Sequence, residues 1–167
     1  MFEAGRGVII SYRSDLVLWC GTGMELVMVD DGTQRGFGKY LGFTVVRISD
    51  DSLCGTVSIS PEHYQRTGIV HGGVYCAVVE HAASVAAGNW SRGRVVGVSN
   101  STNFIRAVRS GQLQVEATPL QRGRTQQLWQ VFIRDELGRL IAKGEVRFAN
   151  IDNADNLGRS GAAAVGG

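Results

Sequence analysis

"QRTGIVHGGVYCAVVEHAAS", residues 65–84, is the stretch from which the fold of this chain can be read. It opens as a polar turn and passes, from about Gly72, into Val, Ala, Cys and Tyr. Tyr75, Val78, Val79, Ala82, Ala83 and Ala86 recur at helical spacing. Gly88-Asn89 is a stop signal, so the pattern predicts one long helix over 72–88. Its side chains are small and apolar nearly all round. Such a helix belongs inside a wrapping of other structure, not on a surface.

The flanking sequence supplies the wrapping. "LGFTVVRI" (41–48) and "GTVSIS" (55–60) read as a hairpin joined by "SDDS" (49–52). After the helix come four strand-like runs, "VVGVSNSTNFIRAV" (95–108), "GQLQVEATPLQ" (111–121), "TQQLWQVFIRD" (125–135) and "RLIAKGEVRFANI" (139–151). Short Gly-bearing connectors, "RSG", "RGR" and "DELG", suit hairpin loops. In the third run Leu128, Gln130 and Phe132 share one face, and Trp129, Val131 and Ile133 the other. Two strands, one helix and four strands predict an α+β fold, an antiparallel sheet around a single long helix.

The chain has 167 residues, enough for one domain with a sizeable core. That domain is expected over 36–150. Residues 1–35 mix Gly, charge and short apolar runs and read as an N-terminal extension. Residues 151–167 read as a disordered tail, since "DNADNLGRSGAAAVGG" offers no large apolar anchor. Net charge is +2, too small a field to imply nucleic acid as a partner. The cations are 15 Arg against 2 Lys, a compositional bias whose guanidinium forks also match phosphate groups. Cys20, Cys54 and Cys76 show no metal or redox spacing, and an odd scatter suits a reducing compartment. The apolar run 16–20, bounded by Asp15 and Glu25, is too short for a signal core or a membrane span. A soluble cytoplasmic protein without membrane association is expected.

Glu80 breaks the pattern. A carboxylate in a buried helix is costly unless it is paired or exposed. Glu80 either occupies a solvated stripe beside His81, pairs with an Arg, or serves a site. Between Gly72 and Ala87 the polar side chains are Tyr75, Glu80, His81 and Ser84, and Ser84 follows Glu80 by one turn on the same face. That pairing favours a site. Gly72 and Gly73 stand where free helix N–H groups and the helix dipole favour an oxyanion, although they also suit a tight turn. From His71 to Glu80 is about 13 Å along a helix, so the two ends of the motif cannot meet within one chain. If both serve one site, two antiparallel helices must face each other in a dimer with two interfacial sites.

These residues resemble the hotdog-fold acyl-CoA thioesterases, in the branch of the 4-hydroxybenzoyl-CoA, phenylacetate-pathway (PaaI-like) and enterobactin-proofreading enzymes. The carriers are Q-x-x-G-x-x-HGG-x-x-x-x-x-x-E-x-x-x-S from Gln65 to Ser84, with "VVGVSN", "IRAVRSG" and "QRGRTQQLWQV". The resemblance implies a homodimer, commonly a homotetramer. It implies hydrolysis of acyl-CoA or acyl-carrier-protein thioesters to free acid and thiol, with no cofactor or metal, coenzyme A being part of the substrate. Glu80 would be nucleophile or general base, and the Gly72 N–H, with Gln65, would polarise the carbonyl. His71 would lie near the sulfur or cap the helix, and Ser84 would position water. Gly73 and Tyr75 would line the substrate site, with Arg106, Arg109, Arg122 and Arg124 as candidates for the CoA phosphates. His63 and His81 are expected at the surface. The acyl group leans towards aryl or medium chains. Two other functions fit the same motif: a hotdog hydratase or dehydratase, which releases no thiol, and a non-catalytic acyl-CoA-binding module.

Overall fold

The computed structural model describes residues 36–151. The expected extension, and the tail from residue 152 on, lie outside the described residues. A short helix α1 (Gly36–Tyr40) leads into β1 (Phe43–Ile48) and β2 (Leu53–Ser58). The long helix α2 (Gly72–Ser91) follows, then β3 (Arg94–Phe104), β4 (Gln112–Arg122), β5 (Gln126–Arg134) and β6 (Leu140–Ile151). The six strands form one sheet in the order β1-β2-β4-β5-β6-β3, with every pairing antiparallel. This is the architecture that the sequence predicts. No described helix is long and apolar enough to cross a membrane.

The sheet wraps α2. Val78, Val79, Ala82, Ala83, Ala86 and Ala87 are fully buried. They pack with Leu53, Val57, Trp129, Val131, Ile133, Val146 and Phe148 of the sheet. Small helix residues let the sheet approach closely, which gathers large strand side chains around one axis. On β5 the inward face is that of Trp129, Val131 and Ile133, as the alternation predicts. Gln127 shares it and is fully buried. Its amide is satisfied: Nε2 donates to Asn150 Oδ1 at 2.7 Å and Ala87 O at 3.4 Å, and Oε1 accepts from Trp129 Nε1 at 2.8 Å. A buried amide with every group paired costs little and fixes the strand against the helix end.

Three expectations need correction. The helix does not stop at Gly88-Asn89 but runs to Ser91, ending on Arg92 in the left-handed conformation at φ 52°. Trp90 packs on the core, and Arg92 donates to Asn89 O at 2.8 Å, so tertiary contacts carry the helix through a weak breaker. The first run after α2 ends as a strand at Phe104. The N–H groups of Ile105 and Arg106 both turn to Ile141 O, and Val108 O accepts from Val70 N–H at 2.9 Å, tying this segment to the loop before α2. His63 and His81 are not surface residues. His63 is 4% exposed, accepting from Ser60 N–H through Nδ1, while half-buried His81 meets Phe43 edge-on at 5.1 Å.

Candidate active site

The start of α2 is built from the polar turn before it. Gln65 N–H donates to Ile69 O and Gly68 N–H donates to Gln65 O, a tight turn in which Gln65 Nε2 donates to Thr67 Oγ1 at 3.0 Å. His71 is the N-cap in extended conformation, and its Nδ1 accepts the Gly73 N–H at 2.9 Å. A ring nitrogen that accepts carries no proton, so in the neutral imidazole the proton sits on Nε2, on an exposed side chain. Val74 N–H donates to His71 O. Among the described residues, the Gly72 N–H has no hydrogen-bond acceptor. It is the open donor at the positive end of a 20-residue helix.

An aromatic pair closes the space beside that donor. Phe104, at the end of β3, lies over Gly72 so closely that a Cβ there would stand 2.5 Å from the ring. A side chain at residue 72 would have to displace the Phe104 ring, so glycine suits a close approach here as well as a turn. Tyr75 packs 5.8 Å from Phe104 between ring centroids and is 3% exposed. Its hydroxyl is buried without a hydrogen-bond partner. Burial pushes the phenol up from its ordinary range, while the Val108 backbone pulls it down without reaching hydrogen-bond geometry.

Glu80 stands half-buried on the helix face that covers β3. Its carboxylate lies against the bare backbone of Gly97, where a Cβ would come within 2.3 Å of Oε1. Oε2 accepts from Asn100 Nδ2 at 3.1 Å. Ser84 is one turn further along α2 and half-buried. No arginine pairs with Glu80 among the described ion pairs, so that alternative falls away. Glu80 lies eight positions after Gly72, about 12 Å of helix, and the single chain does not bring them together.

The arginines divide between the two ends of α2. Arg109 Nη1 donates to Gly68 O at 3.2 Å, beside the Gln65 turn, and Arg106 Nη1 donates to Leu140 O at 2.6 Å. Arg122 serves the opposite end, where it donates to Asp50 O and Asp51 Oδ1 and lies 5.3 Å over Trp90. Exposed Arg124 sits in the β4–β5 turn, with its carbonyl accepting from Asn150. No cluster of His, Cys, Asp or Glu among the described residues has the geometry to hold a metal ion. Sequence reading missed Gly97, Asn100 and Phe104 as members of the site. "VVGVSN" carried two of them, but its strand pattern does not say which side chains face the helix.

Comparison with known proteins decides the family. The model of the thioesterase superfamily matches residues 67–142. The Mycobacterium tuberculosis protein Rv1847 is 43% identical over 121 residues, 70% of this chain and 86% of that one. The chain belongs to the thioesterase superfamily. The solved structure of Rv1847/MT1895 superposes with a TM-score of 0.69, covering 70% of this chain and 97% of that one. The 1,4-dihydroxy-2-naphthoyl-CoA hydrolase of Escherichia coli is 34% identical over 119 residues, 68% of this chain and 88% of the enzyme. Thioesterase HI1161 of Haemophilus influenzae superposes with a TM-score of 0.70 at 28% identity, covering 78% and 92% of the two chains. As a superfamily member with the hotdog fold, the protein is a thioester hydrolase. The motif from Gln65 to Ser84 falls almost wholly inside the matched region.

Proposed function

We propose that this thioesterase hydrolyses acyl-CoA thioesters, with Glu80 as the reacting carboxylate at a site shared between two copies of the chain. The observation that carries the reading is the placement of Glu80: a carboxylate on an apolar helix, lodged against Gly97, with an open Gly72 N–H about 12 Å away on the same helix. A second copy with its helix antiparallel brings the partner's Gly72 end to Glu80. Support for that pairing comes from β3, an edge strand of the sheet, which leaves Val98 58% and Phe104 55% exposed. An unpaired strand edge is a template for another strand.

In this site the partner's Gly72 N–H, with the Gln65 amide, polarises the thioester carbonyl. Glu80 then acts in one of two ways. As a nucleophile it forms an anhydride and expels the thiolate, and water hydrolyses the anhydride. As a general base it takes a proton from water, Ser84 orients that water, and attack expels the thiolate directly. Either way one C–S bond breaks and one C–O bond forms, and the products are the free acid and the thiol. His71 carries its proton on Nε2 and supplies a donor for the departing sulfur.

Coenzyme A, rather than a carrier protein, is the favoured thiol, since Arg106 and Arg109 stand at the Gln65 end of the helix. An aryl acyl group is favoured by the Phe104–Tyr75 pair beside Gly72, and a relative named for a naphthoyl-CoA supports it. As part of this reading, a coenzyme A thioester substrate favours a cytoplasmic location. The test is thiol release from acetyl-, hexanoyl-, palmitoyl- and benzoyl-CoA by wild type and Glu80→Gln. Release by wild type and a loss of roughly 100-fold or more in the variant is expected. Equal rates in the two would remove Glu80 from the chemistry, and tight binding without release would make the protein a binding module.

A further inference from the structure

Asn100 does more than touch Glu80. Its Nδ2 donates both to Glu80 Oε2 and to Cys76 O, each at 3.1 Å, while its Oδ1 accepts from Thr102 Oγ1 at 2.6 Å. Both amide protons and the amide oxygen are thereby committed. The arrangement also fixes which way the amide points. Reversed, it would set an oxygen against a carboxylate and a carbonyl, two acceptors that cannot donate back. The threonine hydroxyl, by donating to Oδ1, holds the NH₂ towards the carboxylate. Cys76 is the residue one turn before Glu80, so Asn100 grips the carboxylate and the helix turn that carries it.

A backbone irregularity makes this possible. Gly97 pairs with Phe148 and Ser99 with Arg147 on β6, leaving Val98 as an extra residue between them. In a regular strand Gly97 and Asn100, three apart, point to opposite faces. The bulge at Val98 turns both towards α2, so Gly97 supplies the bare floor and Asn100 the donor for one carboxylate. Thr102, two residues on, keeps the face of Asn100. Its Oγ1 lies beneath the helix, 2.7 Å from where a Cβ on Gly144 would stand.

We propose that Asn100 and Thr102 are positioning residues for Glu80, a two-step hydrogen-bond relay from β3 that holds the carboxylate in its reacting orientation. The proposal rests on the reading of Glu80 as the reacting carboxylate. Neither side chain touches the substrate's acyl or nucleotide parts in this account, so losing the relay lowers turnover without weakening binding.

The test compares Asn100→Ala, Asn100→Asp, Thr102→Val and Thr102→Ser with wild type and Glu80→Gln. The substrate is whichever of the four CoA esters above is released fastest, and a melting curve is recorded for every variant. Asn100→Ala and the nearly isosteric Asn100→Asp, which sets a second carboxyl against Glu80 in place of the amide donor, should each lose roughly 10- to 100-fold in kcat. Thr102→Val should lose roughly three- to tenfold, and Thr102→Ser, which restores the hydroxyl, should recover it. KM should stay within about twofold throughout. If Asn100→Ala fails to fold, the Thr102 pair decides the matter alone. Unchanged kcat in folded Asn100 variants beside an inactive Glu80→Gln overturns the relay and leaves the role of Glu80 standing. So does a Thr102→Ser variant as slow as Thr102→Val. A Glu80→Gln variant as fast as wild type, or no release from any ester, overturns both readings together.

Discussion

Gly97→Ala separates stability from chemistry at this site. A Cβ at residue 97 would stand 2.3 Å from Glu80 Oε1 and 3.3 Å from Glu80 Cδ, with no backbone atom among its nearest neighbours. Ordinary van der Waals contact begins at 3.4 Å, so the carboxylate must retreat by about 1 Å. Gly97 has no positive φ, and alanine therefore meets no backbone strain there. What must move is the end of a flexible side chain at a half-buried position, so the cost in stability should stay within about 1 kcal/mol, at the low end of overpacking. With Glu80 as the proposed reacting group, the catalytic cost should be larger. A reacting group displaced by about 1 Å loses roughly 100-fold in rate, and the 3.1 Å bond from Asn100 is stretched as well. The assay is kcat for thiol release beside a urea denaturation curve. Gly88→Ala is the control. A Cβ at residue 88 meets nothing closer than Gly93 O at 3.8 Å, and glycine inside a helix costs about 0.5–1 kcal/mol against alanine, so this variant should be slightly more stable and fully active. A Gly97→Ala protein that keeps wild-type kcat would refute the placement of Glu80 as the reacting group. One that loses several kcal/mol of stability would refute the claim that only the carboxylate needs to move.

Three further outcomes follow from the same coordinates. Tyr75→Phe removes a buried hydroxyl without a partner and should stabilise the protein by about 1–2 kcal/mol in denaturation experiments; a net loss of stability would mean the hydroxyl is satisfied in solution. Asp135 holds the β5–β6 turn by accepting from Leu137 N–H, Arg139 N–H and the Arg139 guanidinium. Burial pushes its carboxyl up, but the Arg139 and backbone hydrogen bonds outweigh that and leave it below its ordinary range. A carboxyl lowered on folding stabilises above its unfolded value, about 3.9, and that contribution fades as pH falls through the folded value. Asp135→Asn should therefore cost about 1–2 kcal/mol at neutral pH, with the gap to wild type closing below about pH 4, as followed by denaturation at stepped pH. Arg106→Ala and Arg109→Ala should raise KM for CoA esters roughly two- to fivefold with kcat little changed, and the effect should shrink in high salt. A fall in kcat at constant KM would place these arginines elsewhere than on the phosphates.

The single long helix, the strand count and the family motif were all legible in the sequence, because each rests on local periodicity or on spacing within one segment. The small apolar positions of 72–87 call for burial, and the surrounding runs read as strands, so a sheet wrapped round the helix follows from the two patterns together. Likewise, the separation of His71 from Glu80 along one rigid helix already told that a single chain cannot close the proposed site.

What the sequence could not supply depends on neighbours distant along the chain. Helix α2 passes Gly88 because Trp90 finds a place on the core. His63 is buried because Ser60 and Tyr40 offer its ring nitrogens partners. Gln127 is inside because Trp129, Asn150 and Ala87 meet its amide there. The decisive case is Val98. One extra residue opposite β6 reverses the alternation of β3, and only that reversal sets Gly97 and Asn100 together under Glu80. A period of two read along a single strand cannot reveal a bulge, since the bulge exists only relative to the partner it fails to pair with.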